Sequence, residues 1–325
     1  MPEVITLAAE NILSPVILCF VLGLLAALGR SDLSIPESAA KMLSIYLLFA
    51  IGFKGGASVA GHGLDGTLVG TLLTGVAFSA LLPFLAYALL NLLTRLDRLN
   101  AAAVAGHYGS ISIVTFLAGA SLLSLRGIEA EGYMVAVAAV MEAPAILTAL
   151  WLVSRKGDSR LDPALLREIL MNGSIVMLVG AFLIGWITGQ QGMAKIEPFI
   201  GAPFQGVLCL FLLDMGLIAG RGLRRSYKVL TVGVLAFGVL MPLLSSAIGL
   251  GAGMLLDLSL GGTVLLMILA ASASYIAVPA AMRVALPEAD PSIYLTLSLG
   301  VTFPFNLAVG IPIYYAAALA VKGGA

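Results

Sequence analysis

Charged residues are scarce in this sequence, and their scarcity excludes most classes of soluble protein. Only 10% of the 325 residues are Asp, Glu, Lys or Arg, whereas 60% are hydrophobic and the mean hydropathy is +1.08. A soluble domain carries about 25% charged residues. The 17 basic and 17 acidic residues cancel, and no basic stretch with interleaved aromatic residues occurs, so we exclude nucleic acid as a partner.

Residue types that perform chemistry are also few. The chain has only two cysteines and two histidines, and both cysteines, Cys19 and Cys209, fall in apolar runs where packing is the simplest role. The sequence contains no nucleophile motif, metal motif or phosphate-binding loop. It therefore disfavours an enzyme and an ATP-driven pump, and we expect no cofactor apart from a coupling ion.

Long apolar runs are what the sequence has in abundance. A helix needs about 20 residues to cross a bilayer core of about 30 Å. The first half contains runs at residues 12–29, 36–58, 66–93, 100–123 and 131–154, and the second half at 164–189, 197–220, 228–255, 261–284 and 291–319. We therefore predict an all-α integral membrane protein with ten transmembrane helices.

The two halves resemble one another at an offset of about 160 residues. Pro83 corresponds to Pro242, and Pro144 corresponds to Pro304. Because each half has an odd number of spans, the second must cross the membrane in the opposite sense. We predict two inverted five-helix repeats, residues 1–154 and 164–325, joined by a cytoplasmic linker at 155–163. Basic residues fall mostly on one side if both termini lie outside the cytoplasm, and the positive-inside rule favours that orientation.

Two segments rich in small and polar residues interrupt their spans at equivalent places. They are residues 106–112 in the fourth span and 271–279 in the ninth. Unwound backbone at membrane depth persists only where protein, water or a ligand satisfies it, so such a pair marks a binding site. Half-helices that start at the breaks would offer free N–H groups to an anion, and carbonyls at the ends of the preceding halves could coordinate sodium. The alternative is that glycine and serine only allow close helix packing.

Ionisable residues inside the spans are costly and are candidates for ion coupling. We favour Glu142 in the fifth span, with a sodium ion near it, and name His107 and Asp214 as further candidates. The simpler role of His107 is to donate to a freed carbonyl, and that of Asp214 is to tie helices together. For Lys54 we favour snorkelling or pairing with a carboxylate, and for Arg283 a contact with a helix C-terminus.

Five parts of the sequence together resemble a known family. They are residues 34–38 (SIPES), 51–56 (IGFKGG), the two broken segments, and 287–292 (PEADPS). They resemble the sodium-dependent bicarbonate transporter family, whose best-known members are cyanobacterial symporters. The resemblance covers nearly all of the chain. It implies broken fourth and ninth helices that cross at mid-membrane, a core and a gate domain, a homotrimer in the bacterial inner membrane, and sodium-coupled bicarbonate symport.

The resemblance also places a substrate site. The family's anion site falls on Gly109, Ser110, Ile111, Ser112, Ser272, Ala273 and Ser274. Tyr275, which we add to the substrate-binding candidates, stands where cyanobacterial members have an acidic residue, and Ala277 replaces a small polar one. The loss of a carboxylate can change the number of sodium ions or the substrate. The shortness of the linker, residues 155–163, argues against a regulatory partner of the PII type.

Other functions stay open at this point. One is a proton- or sodium-coupled carrier of another small organic anion, which Tyr275 favours. A second is cation/proton antiport, in which Asp214, Glu142 and Lys54 would act and the serines would only pack. An intramembrane enzyme is disfavoured because no motif supports it.

Overall fold

The computed structural model describes residues 13–62, 65–154, 167, 171, 173–225, 230–275, 278–279, 282 and 286–322. The helices in these ranges are α1 (Pro15–Leu28), α2 (Glu37–His62), α3 (Gly66–Leu93), α4 (Arg98–Gly109), α5 (Ile113–Leu125), α6 (Met134–Val140), α7 (Glu142–Ser154), α8 (Gly173–Ile200), α9 (Phe204–Arg225), α10 (Val232–Leu255), α11 (Leu260–Ala271) and α12 (Pro291–Lys322). Within these ranges the structure has no strand. The linker 155–163, Ala277 and Arg283 lie outside the described residues.

The helices are long and apolar enough for a protein that crosses the membrane many times. In the described part of the chain, eight helical segments meet the length and hydropathy of a membrane span, with α4 and α5 counted as one and α6 and α7 as one. Helices α1 and α11 are shorter and equally apolar. The protein is therefore an all-helical, multi-pass membrane protein.

Helix α8 corrects a predicted boundary. The sequence predicts a connection between residues 189 and 197, but α8 continues to Ile200. At Gly189 the backbone leaves the helix, with φ 57° and ψ −150°, a conformation that favours glycine. The chain turns there, resumes a helix and packs back on α2, where the Tyr46 hydroxyl donates to the Phe199 carbonyl at 2.6 Å. Long-range packing thus makes a polar segment helical.

Glycines allow two helix pairs to approach closely, α1 with α9 and α2 with α8. A Cβ on Gly23 of α1 would overlap the Leu213 carbonyl, and one on Gly56 of α2 would overlap the Phe182 carbonyl. Small residues let helix backbones approach in this way in membranes. Close packing is therefore the role of these glycines.

Helices α4 and α11 form the buried centre of the molecule. Residues 101–109 of α4 and 261–271 of α11 are all buried. Helix α4 packs between α3 and α7, and α11 packs against α10. Because both helices end in the interior, the residues that follow them are also buried, and these are the residues of the two breaks.

Candidate functional site

The first break interrupts the fourth span where the sequence predicts it. Helix α4 ends at Gly109 and α5 begins at Ile113, and the backbones of Ser110 and Ser112 between them are extended. Gly109 permits this geometry, because a Cβ there would overlap the ring of Pro83 and lie 2.7 Å from the Ser79 carbonyl oxygen. Ser110, Ile111 and Ser112 are buried.

The second break follows α11. Helix α11 ends at Ala271, and residues 272–274 are not helical. Ser272, Ala273, Ser274 and Tyr275 are all buried. The Ser274 hydroxyl accepts a hydrogen bond of 3.3 Å from the N–H of Val278, which is helical again. Most of the ninth span beyond Tyr275 lies outside the described residues.

Direct hydrogen bonds join the two breaks. The N–H of Ser112 donates to the Ser272 hydroxyl at 2.9 Å, and the N–H of Ser274 donates to the His107 carbonyl at 2.8 Å. Ser112 and Ser272 are 160 residues apart, which is the offset between the two halves of the sequence. The structure therefore brings together the serines on which the predicted site depends.

Several polar groups around this contact still lack partners. The Ser112 hydroxyl accepts from the N–H of Thr115 at 3.1 Å, which leaves the first two N–H groups of α5 without an acceptor inside the helix. Within the described ranges, the Thr115 hydroxyl, the Tyr275 hydroxyl and the Nε2 of His107 are buried and have no hydrogen-bond partner. Buried polar groups without a hydrogen-bond partner are rare, because removing a polar group from water costs free energy. These three groups therefore indicate a place for a ligand or water.

A buried carboxylate lies against the first break. Glu142 begins α7, directly after a turn at Met141, and its Oε2 accepts a hydrogen bond of 2.8 Å from the Ser110 hydroxyl. Ser79 fixes this turn, because its hydroxyl donates to the Met141 carbonyl and accepts from the N–H of Ala145 at 3.0 Å. Hydroxyl and carboxylate oxygens are the ligands that hard cations prefer. The Glu142 carboxylate and the Ser110 hydroxyl are thus oxygens of the kind that a sodium ion uses as ligands.

Neutral side chains hold the second break, and sequence reasoning missed them. The Asn306 amide donates to the Ala271 carbonyl at 2.9 Å, and Asn306 accepts from the Tyr314 hydroxyl at 2.7 Å. Nearby, the Tyr108 hydroxyl lies 2.6 Å from that of Thr302, which donates to the Gly238 carbonyl at 2.8 Å. One signal was available, since Thr302 stands 160 residues after Glu142.

The other predicted ion-coupling residues have different surroundings. His107 is fully buried, with its Nδ1 donating to the Ala103 carbonyl at 2.7 Å and its ring stacked on Tyr294 at 4.4 Å. Asp214 is buried in α9, which packs against α1 and α2. No hydrogen bond among the described residues connects Asp214 with the breaks. The structure thus joins Glu142 and His107 to the breaks by hydrogen bonds, whereas it shows no such bond for Asp214 in the described part of the chain.

A comparison with known protein families finds a match over nearly the whole chain. The family model of the Na+-dependent bicarbonate transporter superfamily matches residues 15–319, which include both breaks and Glu142. A comparison with individually curated proteins gives no match. The resemblance seen in the sequence is confirmed, because the match spans nearly the whole chain. The chain belongs to the Na+-dependent bicarbonate transporter superfamily.

Proposed function

We propose that the protein is a secondary transporter that carries bicarbonate, or a similar small anion, together with sodium by alternating access. The observation that carries this proposal is the hydrogen-bonded contact between Ser112 and Ser272, beside a buried carboxylate. The family is one of transporters, so we expect no chemical change in the anion.

The anion would bind where the breaks meet. The first N–H groups of α5 carry the positive end of the helix dipole, and buried hydroxyls of Thr115 and Tyr275 are available as donors. We assign Gly109, Ser110, Ile111, Ser112, Ser272, Ala273, Ser274 and Tyr275 to this site.

Sodium would bind at Glu142 and neutralise it. An unpaired carboxylate is expensive inside a membrane protein, so loading sodium removes a barrier to the movement of the core. If one sodium accompanies one bicarbonate, each transport cycle moves no net charge across the membrane. A tenfold sodium gradient then supplies about 1.4 kcal/mol, enough for about tenfold accumulation of the anion.

We further propose that the chain consists of two inverted repeats, residues 1–154 and 164–325. The packing of α1 with α9 and of α2 with α8 supports this. In the proposed repeat α1 corresponds to α8 and α2 corresponds to α9, so the two contacts are equivalent. As the resemblance implies, we expect a homotrimer in the bacterial inner membrane, surrounded by lipid. The positive-inside rule favours both termini outside the cytoplasm.

A small organic carboxylate is the second candidate substrate. The observation that favours it is the buried Tyr275 hydroxyl, which has no hydrogen-bond partner among the described residues and would suit an additional carboxylate oxygen.

Uptake into proteoliposomes tests the proposed function. Labelled bicarbonate, acetate, pyruvate and nitrate are supplied with an inward sodium gradient, with a proton gradient, or with neither. We expect sodium to stimulate bicarbonate uptake, and we expect Ser110→Ala and Ser274→Ala to reduce it. Preference for a carboxylate would select the second substrate, and sodium-independent uptake of every anion would refute symport.

A further inference from the structure

A cavity between α1, α5 and α9 shares no described lining residue with the two breaks. Its volume is about 490 Å³, which lies within the range of about 300–1,000 Å³ that is usual for ligand pockets. Its described lining comes from the start of α1, the second half of α5 and the start of α9. Helix α1 packs on α9, whereas α5 packs mainly against α11, so the cavity lies where two groups of helices meet. We call this space the lateral cavity.

Much of the wall of the lateral cavity is apolar and continues onto an exposed apolar surface. Val16 of α1 and Leu122 and Leu125 of α5 contribute to this wall, and Leu125 is 77% exposed. Leu13 and Leu18, on either side of the α1 residues that line the cavity, are also exposed. Lipid tails are as apolar as leucine side chains, so such a surface in a membrane protein suits contact with lipid. A hydrocarbon chain can therefore enter the lateral cavity from the bilayer.

The outer end of the lateral cavity is polar and positively charged. Arg126, directly after α5, is the only charged side chain among the described residues that line the cavity, so no carboxylate of this lining opposes an anion. Its guanidinium group lies over the ring of Tyr315, 5.3 Å from the centroid, a contact that holds its position and keeps its charge. At the start of α9, the Gln205 side chain donates to the Ser121 hydroxyl at 2.8 Å. In the orientation given by the positive-inside rule, this end faces outward.

Helix dipoles do not cancel the charge of Arg126. The C-terminus of α5, which Arg126 follows, carries about half a negative elementary charge. The start of α1 lines the same cavity and contributes about half a positive charge. The full charge of the guanidinium group therefore determines the sign, and a guanidinium group can bind a phosphate through two parallel hydrogen bonds.

We propose that the lateral cavity binds an anionic phospholipid, with the phosphate at Arg126 and one acyl chain between α1, α5 and α9. The charge selects an anion, and the apolar walls select an amphiphile, because a free inorganic anion would leave these walls without a partner. Basic pockets between transmembrane helices bind lipid head groups in this way. The lipid would contact both groups of helices at once, and the site is separate from the one proposed for the transported anion.

Thiol labelling of Cys209 tests the site, because Cys209 lines the lateral cavity and is partly buried. A Cys19→Ser background leaves Cys209 as the only thiol of the chain. The rate of its reaction with N-ethylmaleimide is measured in detergent with added phosphatidylglycerol, which is anionic, or phosphatidylethanolamine with the same acyl chains, which carries no net charge. We expect phosphatidylglycerol to protect Cys209 at a concentration about fivefold lower, about 1 kcal/mol, the attraction of one basic residue for anionic lipid.

Two further variants test the role of the charge. Arg126→Gln should remove the preference for phosphatidylglycerol. Lys195→Gln is the matched control, because Lys195 is exposed and is not among the described residues that line the cavity, and it should keep the preference. Thermal unfolding gives a second readout, since a lipid that binds the folded state stabilises it. Phosphatidylglycerol should therefore raise the Tm of the Cys19→Ser protein more than that of Arg126→Gln.

Three results would overturn the lipid site. They are equal protection of Cys209 by the two lipids, protection by neither lipid, and equal protection by inorganic phosphate alone. If Cys209 reacts only after the oligomer is dissociated, a second copy of the chain occupies the cavity instead. If it reacts only after residues 1–12 are removed, the occupant is the N-terminal segment.

Discussion

The two breaks have the same backbone plan and different partners. In the first, the Ser110 hydroxyl donates to the carboxylate of Glu142. In the second, the Ala271 carbonyl accepts from the amide of Asn306. At the offset of 160 residues, the position that corresponds to Glu142 is Thr302, which is neutral.

This difference between the breaks suggests that anion binding and cation coupling involve different residues of one site. Both breaks supply hydroxyls and backbone groups, so both can contribute to holding an anion. Among the described residues, only the first break has a carboxylate in hydrogen-bond contact with it, so we propose that this break performs the cation coupling. One carboxylate at the breaks also agrees with one sodium per anion, the electroneutral case.

The largest effect should come from removing the charge at the first break. Glu142→Gln should lower sodium-dependent uptake about 100-fold, about 2.7 kcal/mol, because the proposed sodium site loses its carboxylate. The measurement is the uptake rate against sodium concentration. Asp214→Asn is the matched control, because Asp214 is also buried and no hydrogen bond among the described residues connects it with the breaks. If the control loses sodium dependence and Glu142→Gln keeps it, the assignment to the first break is wrong.

The next effect tests how closely the first break must pack. Gly109→Ala should destabilise the protein by about 1–3 kcal/mol, because the added methyl group overlaps the ring of Pro83 and the core is overpacked. Thermal unfolding in detergent measures this, with uptake as a second readout. Gly180→Ala is the control, since a Cβ on Gly180 has nothing within 4 Å. Equal stability of the two variants would show that the first break can relax.

The contact between the breaks can be weakened from the second side. Ser272→Ala removes the acceptor of the Ser112 N–H, and leaving a buried donor unpaired costs about 1–3 kcal/mol. We expect a rise in KM for the anion of about tenfold, the change that corresponds to 1.4 kcal/mol. Ser38→Ala, at an exposed serine of α2, should change nothing. An unchanged KM in Ser272→Ala would indicate that the contact does not shape the anion site.

The smallest effect concerns the start of α4. Asp97 caps this helix, and hydrogen bonds from the Asn100 backbone N–H and side chain lower the pKa of its carboxyl group. A lowered pKa stabilises the fold at pH values above the unfolded pKa of about 3.9, and this contribution is lost as the pH falls through the folded pKa. Asp97→Ala should therefore cost about 1 kcal/mol near neutral pH and progressively less in acid.

A neutral cap provides the control for this pH dependence. Thr231 caps α10 through its hydroxyl, which accepts from the N–H of Val234 at 3.4 Å. Thr231→Ala should lower the thermal stability by a similar amount at every pH. If the losses in Asp97→Ala and Thr231→Ala follow the same pH profile, the Asp97 charge contributes nothing.

The parts of the site that the sequence predicts are those with a local signal. Clusters of small and polar residues at equivalent places in the fourth and ninth spans predict both breaks, because the same pattern recurs in the two halves of the sequence. Glu142 stands out as a carboxylate within a span. The sequence identifies Ser110 and Glu142 separately as candidates, and the structure adds the hydrogen bond between them.

The rest depends on contacts between distant parts of the chain. Tyr108 meets Thr302 across 194 residues, and Asn306 meets Ala271 across 35, so no local pattern indicates either partner. The sequence predicts a connection between residues 189 and 197, but α8 continues through this segment and packs against α2. Asp214 is a further example. A charged residue in an apolar run indicates an unfavourable burial energy, but the sequence does not show which helices surround it.

The most direct test of the central claim is an experimental density map of the protein in lipid with sodium and bicarbonate. We predict a planar anion between the start of α5 and Ser274, and a cation in contact with the Glu142 carboxylate. An anion bound elsewhere, or continuous helices through Ser112 and Ser274, would contradict the account.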